Sequence, residues 1–250
     1  MNIISTIYIE GLFRPLLNLL IGITNITPGH AVGWAIIVVT IIVRLILLPS
    51  FLHQARAMQK NQEKMKSIQS QLDEAKIKHK DDKAKHAEET MRIYKEAGVN
   101  PASGCLPLII QLPILLALYR VFFSGLTPST YHYLYSFVAH PAVLSFAFLG
   151  INLNSPSLLL GVIAGALQFI QMKFLAPQQQ AQPGANEETA AMMASMQKNM
   201  MYIFPAMTIF IALRLPAALA LYWAVSTLFG IVQQVIVRRT LHLTTNPPNI

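Results

Sequence analysis

The chain has 250 residues, 54% of them apolar and only 12% charged, with a formal net charge of +8. Soluble domains carry roughly 25% charged residues, so this composition excludes an ordinary soluble domain and indicates an integral membrane protein. The single cysteine, Cys105, excludes an intramolecular disulfide and any cysteine-based metal cluster.

The amino terminus does not read as a signal peptide: Met1–Tyr8 holds no basic residue, and no small-residue cleavage site follows. With no cysteine nearby, lipoprotein processing is excluded as well. Gly11–Ile23, GLFRPLLNLLIGI, is apolar but broken by Arg14, Pro15 and Asn18. It reads as an N-terminal interfacial helix lying on the membrane, with a sixth crossing as the alternative.

Span one is Ala31–Leu52, AVGWAIIVVTIIVRLILLPSFL. At 1.5 Å per residue it covers about 33 Å, enough for a bilayer core of about 30 Å. Arg44 lies just past its middle, where a guanidinium costs roughly 2.5–3.5 kcal/mol on insertion scales. The eleven acidic residues are Glu10, eight between Glu63 and Glu96, and Glu187 and Glu188, so none falls in an apolar run. Arg44 is therefore expected to face water, backbone carbonyls or something from outside the chain. The plainer reading is an arginine snorkelling to the interface; the apolar turn Leu45–Leu48 on its cytosolic side argues against it.

His53–Ala97 reads as a cytosolic helical hairpin. Met58, Met65 and Leu72 recur every seven residues, with Ile68 and Ala75 between them, and a polar turn falls at His79–Asp82. Ala84, Ala87, Met91 and Tyr94 repeat the spacing on the second arm, so both arms carry coiled-coil seams. Gly98 and Asn100-Pro101 stop the second helix. Eleven of the nineteen Lys and Arg residues lie between Arg56 and Lys95. This basic exterior suits anionic lipid, ribosomal RNA or a partner protein, beside the plainer reading of a solvated loop. No aromatic residues interleave the basic ones as in a nucleic-acid-binding patch.

Four further spans follow: Gly104–Phe123, Ser157 to about Leu175, about Asn199–Leu213, and Pro216–Val237. The third and fourth are short for about 30 Å, so either the bilayer thins around them or flanking polar groups snorkel. Pro141–Gly150, PAVLSFAFLG, is too short to cross and is expected to dip into the outer interface, behind a belt of Tyr131, Tyr133, Tyr135 and Phe137. The loop APQQQAQPGANEET is Gln/Pro-rich and reads as disordered. The tail after Arg239 lacks a long basic extension of the kind that anchors a ribosome. Placing the hairpin inside puts fifteen basic residues in the cytosol and only Arg14, Arg120 and Arg214 outside. The amino terminus is then outside and the carboxyl terminus cytosolic.

The polar residues within the spans fall into a pattern. Thr40 stands one turn before Arg44 on the same face. Gln168, Gln171, Gln233 and Gln234 lie in the cytosolic half, and Gln111 lies nearer the cytosolic start of its span. Tyr222 and Trp223 open the last span. Singly, each glutamine reads first as an interhelical hydrogen bond; together they suggest a wet cavity open to the cytosol and closed outside. Pro49, Pro107, Pro113, Pro205 and Pro216 would bend or interrupt the helices around it. Cys105 reads as packing and His53 as a surface residue, so no acid, base or nucleophile sits at depth and catalysis is not expected. The expected fold is an all-α polytopic membrane protein with five transmembrane helices. Residues 1–30 form the extracytoplasmic start, 31–52 the first span, 53–103 the hairpin, 104–239 the other four spans and 240–250 a short cytosolic tail.

The order of these features resembles the YidC/Oxa/Albino family of membrane protein insertases. IIVRLILLP around Arg44 looks like the family's first core span. YKEAGVNPASGCLPLIIQLPILLALYR, Tyr94–Arg120, is the most specific match, and LPAALALYWAVSTLFGIVQQ, Leu215–Gln234, resembles the last span. The resemblance runs from about Leu12 to Arg239. It implies that Arg44 is the groove arginine and Thr40 a groove position one turn before it. It also implies that Gln171 is the glutamine of the third core span and Trp223 an aromatic that contacts substrate. Asn152 departs from a frequent aspartate and Ala218 from a common glycine. The chain looks like the minimal five-span bacterial form, without the large extracytoplasmic domain and leading span of Gram-negative members, and no transit peptide is visible.

The resemblance implies an insertase of the bacterial plasma membrane that acts on nascent membrane proteins and the lipid bilayer. It implies no cofactor, metal or small-molecule substrate. The ribosome, the signal recognition machinery and the Sec translocon are further candidate partners. An anion-binding transporter or channel is the alternative reading of a buried arginine, although the chain shows no internal repeat of the kind such transporters carry.

Overall fold

The computed structural model describes residues 3–80, 82–99, 106–141, 143–175 and 187–245, so Cys105 and most of the Gln/Pro-rich loop lie outside the described residues. The chain divides into two compact units, one made of residues 1–47, 111–175 and 200–250, the other of residues 48–110 and 176–199. Among the described residues the architecture is all-α apart from one small β-hairpin.

In the first unit, α1 (Ile3–Tyr8) passes through a π-helical turn, Ile9–Phe13, into α2 (Arg14–Ile26). Helix α3 (Val32–Ser67) follows. Its first half is rich in Ile and Val, which favour strands in water. In hydrocarbon every backbone group needs an internal partner, and a helix supplies one within a single segment. Val32, Ala35, Ile36, Val39 and Thr40 face inward, while Trp34, Val38, Ile41, Leu45 and Ile46 are exposed. An outer face that is wholly apolar suits lipid, not water. Helices α6 (Leu106–Arg120), α7 (Leu158–Leu175), α8 (Glu187–Ala212) and α9 (Ala217–Thr245) complete the set, with α7 packed along α9.

The core of this unit joins Phe13, Leu17, Leu20 and Ile21 to Ile36 and Val39 of α3, Ala117 and Leu118 of α6, and Ala217–Tyr222 of α9. The small alanines let α9 approach closely, and in lipid such packing drives association, since moving a side chain out of an equally apolar solvent gains little. Among the described residues, Ser5–Ile26, Val32–Gln54 and Ala217–Val237 are long and apolar enough to cross a membrane, and Gln111–Phe123, Leu158–Lys173 and Met201–Ala212 are shorter apolar helices.

Three expectations change here. The N-terminal helix extends well beyond Gly11–Ile23, over Ile3–Ile26. Its polar breaks are satisfied by protein: Asn18 Nδ2 donates to the carbonyls of Arg14 at 2.7 Å and Tyr133 at 3.0 Å, and Asn18 Oδ1 accepts from Tyr135 N at 2.6 Å. Arg14 Nε also donates to the Tyr133 carbonyl at 3.0 Å, and its guanidinium lies over the Tyr135 ring at 4.8 Å. The run Pro141–Gly150 ends in a β-hairpin, β1 (Ala147–Phe148) with β2 (Ile151–Asn152), turned by Leu149 and Gly150 at positive φ. Helix α8 is already helical from Glu187, twelve residues before the expected start of the fourth span, although its apolar stretch, Met201–Ala212, is short.

The second unit contains the hairpin. Helix α3 runs to Ser67, α4 (Gln69–Lys78) follows after a break at Ile68, and α5 (Lys83–Glu96) returns. Asp82 caps α5 by accepting from Lys85 N, and this bond holds its carboxyl below the usual carboxylate range. The stabilisation is complete above the unfolded pKa near 3.8 and is lost as pH falls through the lower folded value. Gly98, with φ of 59°, ends α5 in a Schellman motif: Val99 N bonds to the Tyr94 carbonyl at 2.8 Å and Gly98 N to that of Lys95 at 3.2 Å.

The hairpin core is Ile68, Ala75, Ile93 and Val99, with Met65, Leu72, Tyr94 and Ala97 packed on it. On the first arm Met65, Ile68, Leu72 and Ala75 take the places the heptads give them, while the Met58 side chain lies outside what is described. The second arm departs from its expected seam: Ala84, Ala87 and Met91 are exposed, and Ile93 takes the inward position. The sequence Lys83–Tyr94 holds two possible apolar phases. The branched, stiffer Ile93 joins Ile68 in the core, and the flexible Met91 stays exposed.

Candidate functional site

Helix α9 organises the site. Tyr222, Ser226, Gly230 and Gln234 recur every four residues and so form one stripe about 18 Å long. Each of the first three meets a polar side chain from a different helix. Gln111 Nε2 of α6 donates to Tyr222 Oη at 2.5 Å. Arg44 Nε of α3 donates to Ser226 Oγ at 2.9 Å, and Arg44 Nη2 donates to the same oxygen. Gln171 of α7 places its Nε2 where a Cβ at residue 230 would stand, so glycine is what lets the Gln171 amide lie against α9 at that level. The fourth, Gln234, is half-buried, and its Oε1 has no hydrogen-bond partner among the described residues.

Thr40 sits one turn above Arg44 on α3. Its buried hydroxyl donates back to the Ile36 carbonyl at 2.6 Å. Thr40 and Tyr222 share the wall of a cavity of about 10 Å³ whose other walls, including Ile36, Val39, Val43 and Phe122, are apolar. That space suits one water at most. A larger cavity of about 320 Å³ lies elsewhere, lined by Phe122, Phe123, Leu126, Thr127, Phe146, Asn154 and Pro216, none of them an expected site residue.

The remaining expected residues lie around the stripe. Gln168 accepts from Thr208 Oγ1 of α8 at a long 3.5 Å. Trp223 is half-buried against the core, one position off the stripe, and Gln233 is half-buried beside Gln234. Arg44, Thr40, Gln111, Gln171, Tyr222 and Gln234 are thus gathered along α9, while Gln168 joins α7 to α8. Ser226, only 3% exposed, and Gly230 were not expected. The signal that marks them is the four-residue step between Tyr222 and Gln234.

Chemically the stripe is a ladder of neutral polar groups with one cation held by a hydroxyl. Ser226 orients the guanidinium and does not neutralise it. Among the described residues no cluster of three His, Cys, Asp or Glu side chains could hold a metal ion.

A family model described as 60Kd inner membrane protein matches residues 23–244. The chain belongs to that family. A membrane protein insertase YidC from Fusobacterium nucleatum is 36% identical over 232 residues, covering 93% of this chain and 98% of its own length. The membrane protein insertase MisCB of Bacillus subtilis is 36% identical over 237 residues, 92% of this chain and 80% of its own. A YidC insertase of Alkalihalophilus pseudofirmus is 34% identical over 224 residues, 88% of this chain and 77% of its own. The matched region of this 60Kd inner membrane protein family member contains every residue of the α9 stripe and all its partners. Its function is that of its family, membrane protein insertion.

Proposed function

We propose that this insertase moves the short, polar, often acidic extracytoplasmic tail of a nascent membrane protein along the α9 stripe, with Arg44 as the attracting charge. The observation that carries the reading is the convergence of Arg44, Thr40, Gln111 and Gln171 on Tyr222, Ser226 and Gly230. A tail leaving water would exchange hydration for these hydroxyls and amides, and its carboxylates would meet a guanidinium in a medium of low dielectric, where attraction is strong. The substrate's apolar helix would leave past Trp223 into lipid, and its burial would supply the driving force. Gln168, Gln233 and Gln234 would extend the polar path on the cytosolic side.

In this reading the protein resides in the bacterial plasma membrane with its amino terminus outside and its carboxyl terminus cytosolic, as the excess of cytosolic basic residues favours. The hairpin, residues 53–103, acts as a recruiting element for the ribosome, the signal recognition machinery or the Sec translocon. Residues 31–52 and 104–239 form the membrane core. The short apolar lengths of α7 and α8 would thin the bilayer beside the path and lower the remaining barrier.

The test is tail translocation by protease protection in reconstituted vesicles. Arg44→Ala abolishes insertion of acidic-tailed substrates, and Arg44→Lys keeps much of it, because the positive field matters more than the fork geometry. Full activity in the alanine variant would remove the electrostatic role. Anion flux dependent on Arg44, without insertion, would establish a transporter instead.

A further inference from the structure

We propose that Phe148 is a positioning residue for the groove: it keys the outer β-hairpin between the first turns of α3 and α9 and so fixes how Arg44 and Ser226 meet. The functional half of this inference rests on Arg44 acting on acidic tails as proposed above.

Two sets of backbone hydrogen bonds define the strap. Toward α3, Ser145 N donates to the His30 carbonyl at 3.0 Å and Val32 N donates to the Ser145 carbonyl at 2.9 Å. Toward α9, Ala218 N donates to the Leu153 carbonyl and Ala217 N to the Ser155 carbonyl, both at 3.0 Å. The N–H groups of Val32, Ala217 and Ala218 lie in first helical turns and have no partner within their own helices. The hairpin supplies those partners to both helices at once. Between the two anchor points, Leu153 N bonds to the Phe146 carbonyl at 2.9 Å, which extends the hairpin ladder and ties the two anchor strands together.

The key is a side chain. The Phe148 ring fills the place a Cβ at residue 33 would take, so only glycine there lets the ring seat against α3. Trp34 closes over it edge-on at 5.2 Å, and Phe148 is 6% exposed. The turn fixes this register. Leu149 and Gly150, with φ of 48° and 81°, are the central residues of a two-residue hairpin loop, which takes positive φ at both positions. With Phe148 paired to Ile151 through that turn the ring lies on the buried face, and a slip by one residue would turn it outward.

Gly33, Thr40 and Arg44 are separated by seven and four residues and share one face of α3, with about 16 Å between the first and last. On α9, Ser226 stands about 12 Å below Ala218. Both helices are thus fastened at their outer ends by one short element, and the Arg44–Ser226 contact lies at the far end of both arms. A small shift at the hairpin is carried to that contact.

The test uses the full chain in proteoliposomes, in a Cys105→Ser background, with spin labels at the exposed positions Ile41→Cys on α3 and Leu228→Cys on α9. Phe148→Ala is expected to shift or broaden the distance distribution by about 1 Å or more and to lower insertion of acidic-tailed substrates about tenfold, since displacing a binding group by an ångström is steeply costly. Insertion of a substrate with an uncharged tail should change less than about twofold, because it does not depend on the placed charge. Phe148→Leu, which keeps an apolar key, restores most of the loss. Where Phe148→Ala fails to fold, Gly33→Ala displaces the same ring and gives the same readouts. An unchanged distance distribution, or an equal fall for both tails, overturns the inference. Arg44→Ala, run alongside, reports on the underlying reading: if it inserts acidic tails normally, that reading fails, while the distance measurement still decides whether Phe148 sets the geometry.

Discussion

Arg44 and Ser226 lie 182 residues apart in the chain, yet two nitrogens of the guanidinium share one serine oxygen between α3 and α9. A hydroxyl is a small neutral acceptor. It fixes where the guanidinium points and adds no negative charge of its own.

Ser226→Ala should therefore weaken the site without emptying it. A hydrogen bond to a charged group is worth about 1.5–3 kcal/mol, so insertion of acidic-tailed substrates slower by about tenfold to a little over a hundredfold is expected. Ser226→Thr keeps the hydroxyl and should retain most of the rate. The check is initial insertion rate in proteoliposomes at matched protein content. A wild-type rate for the alanine variant would show that Arg44 is held by other contacts.

Gly230→Ala separates packing from polarity. A methyl at this position collides with the end of the Gln171 side chain, which is flexible and can swing aside. Alanine also gains about 1 kcal/mol of helix propensity over glycine, so stability in detergent should be nearly unchanged. Insertion should fall nonetheless, because Gln171 leaves the stripe. The double variant Gly230→Ala with Gln171→Ala should show no further loss. A clear drop in thermal stability would mean instead that the α7–α9 approach depends on backbone contact at this level.

Thiol labelling maps which part of the stripe meets water. In a Cys105→Ser background, cysteines at positions 171, 233 and 234 should react with a charged reagent from the cytosolic side, since all three native residues are half-buried. Cysteines at positions 40 and 36 should react slowly: Thr40 is 3% and Ile36 1% exposed, beside a cavity with room for one water. Bound substrate should slow the first group. Equal protection at all five would mean a dry bundle.

The hairpin contains a buried weak point. Asp73 is 7% exposed, and its Oδ2 has no hydrogen-bond partner among the described residues. Its other oxygen accepts from Gln69 at a long 3.4 Å. Leaving such a group buried costs about 1–3 kcal/mol, so Asp73→Leu should slow amide exchange across α5 by about tenfold or more. Leu72→Asp should speed it. If exchange in α5 ignores both changes, the hairpin opens by a route that leaves this core intact.

Much of the architecture is legible in the sequence because it depends on local rules. A long apolar run with one arginine gives α3, the seven-residue recurrence of Met65 and Leu72 gives the first hairpin arm, and Gly98 gives the end of α5. The second arm is different. Lys83–Tyr94 fits either of two phases, and only the partner helix chooses Ile93 over Met91. Arg14 and Asn18 look like breaks in an apolar helix until Tyr133 and Tyr135 arrive from more than 110 residues away to satisfy them. The candidate site divides in the same way. Arg44, Thr40, Tyr222 and the glutamines stand out, since a polar group in hydrocarbon is costly wherever it lies. Ser226 and Gly230 do not, because a serine or glycine in a helix is cheap and silent alone. Each acquires its meaning from a side chain on another helix, Arg44 in one case and Gln171 in the other. Contacts of that kind exist only once the helices have packed.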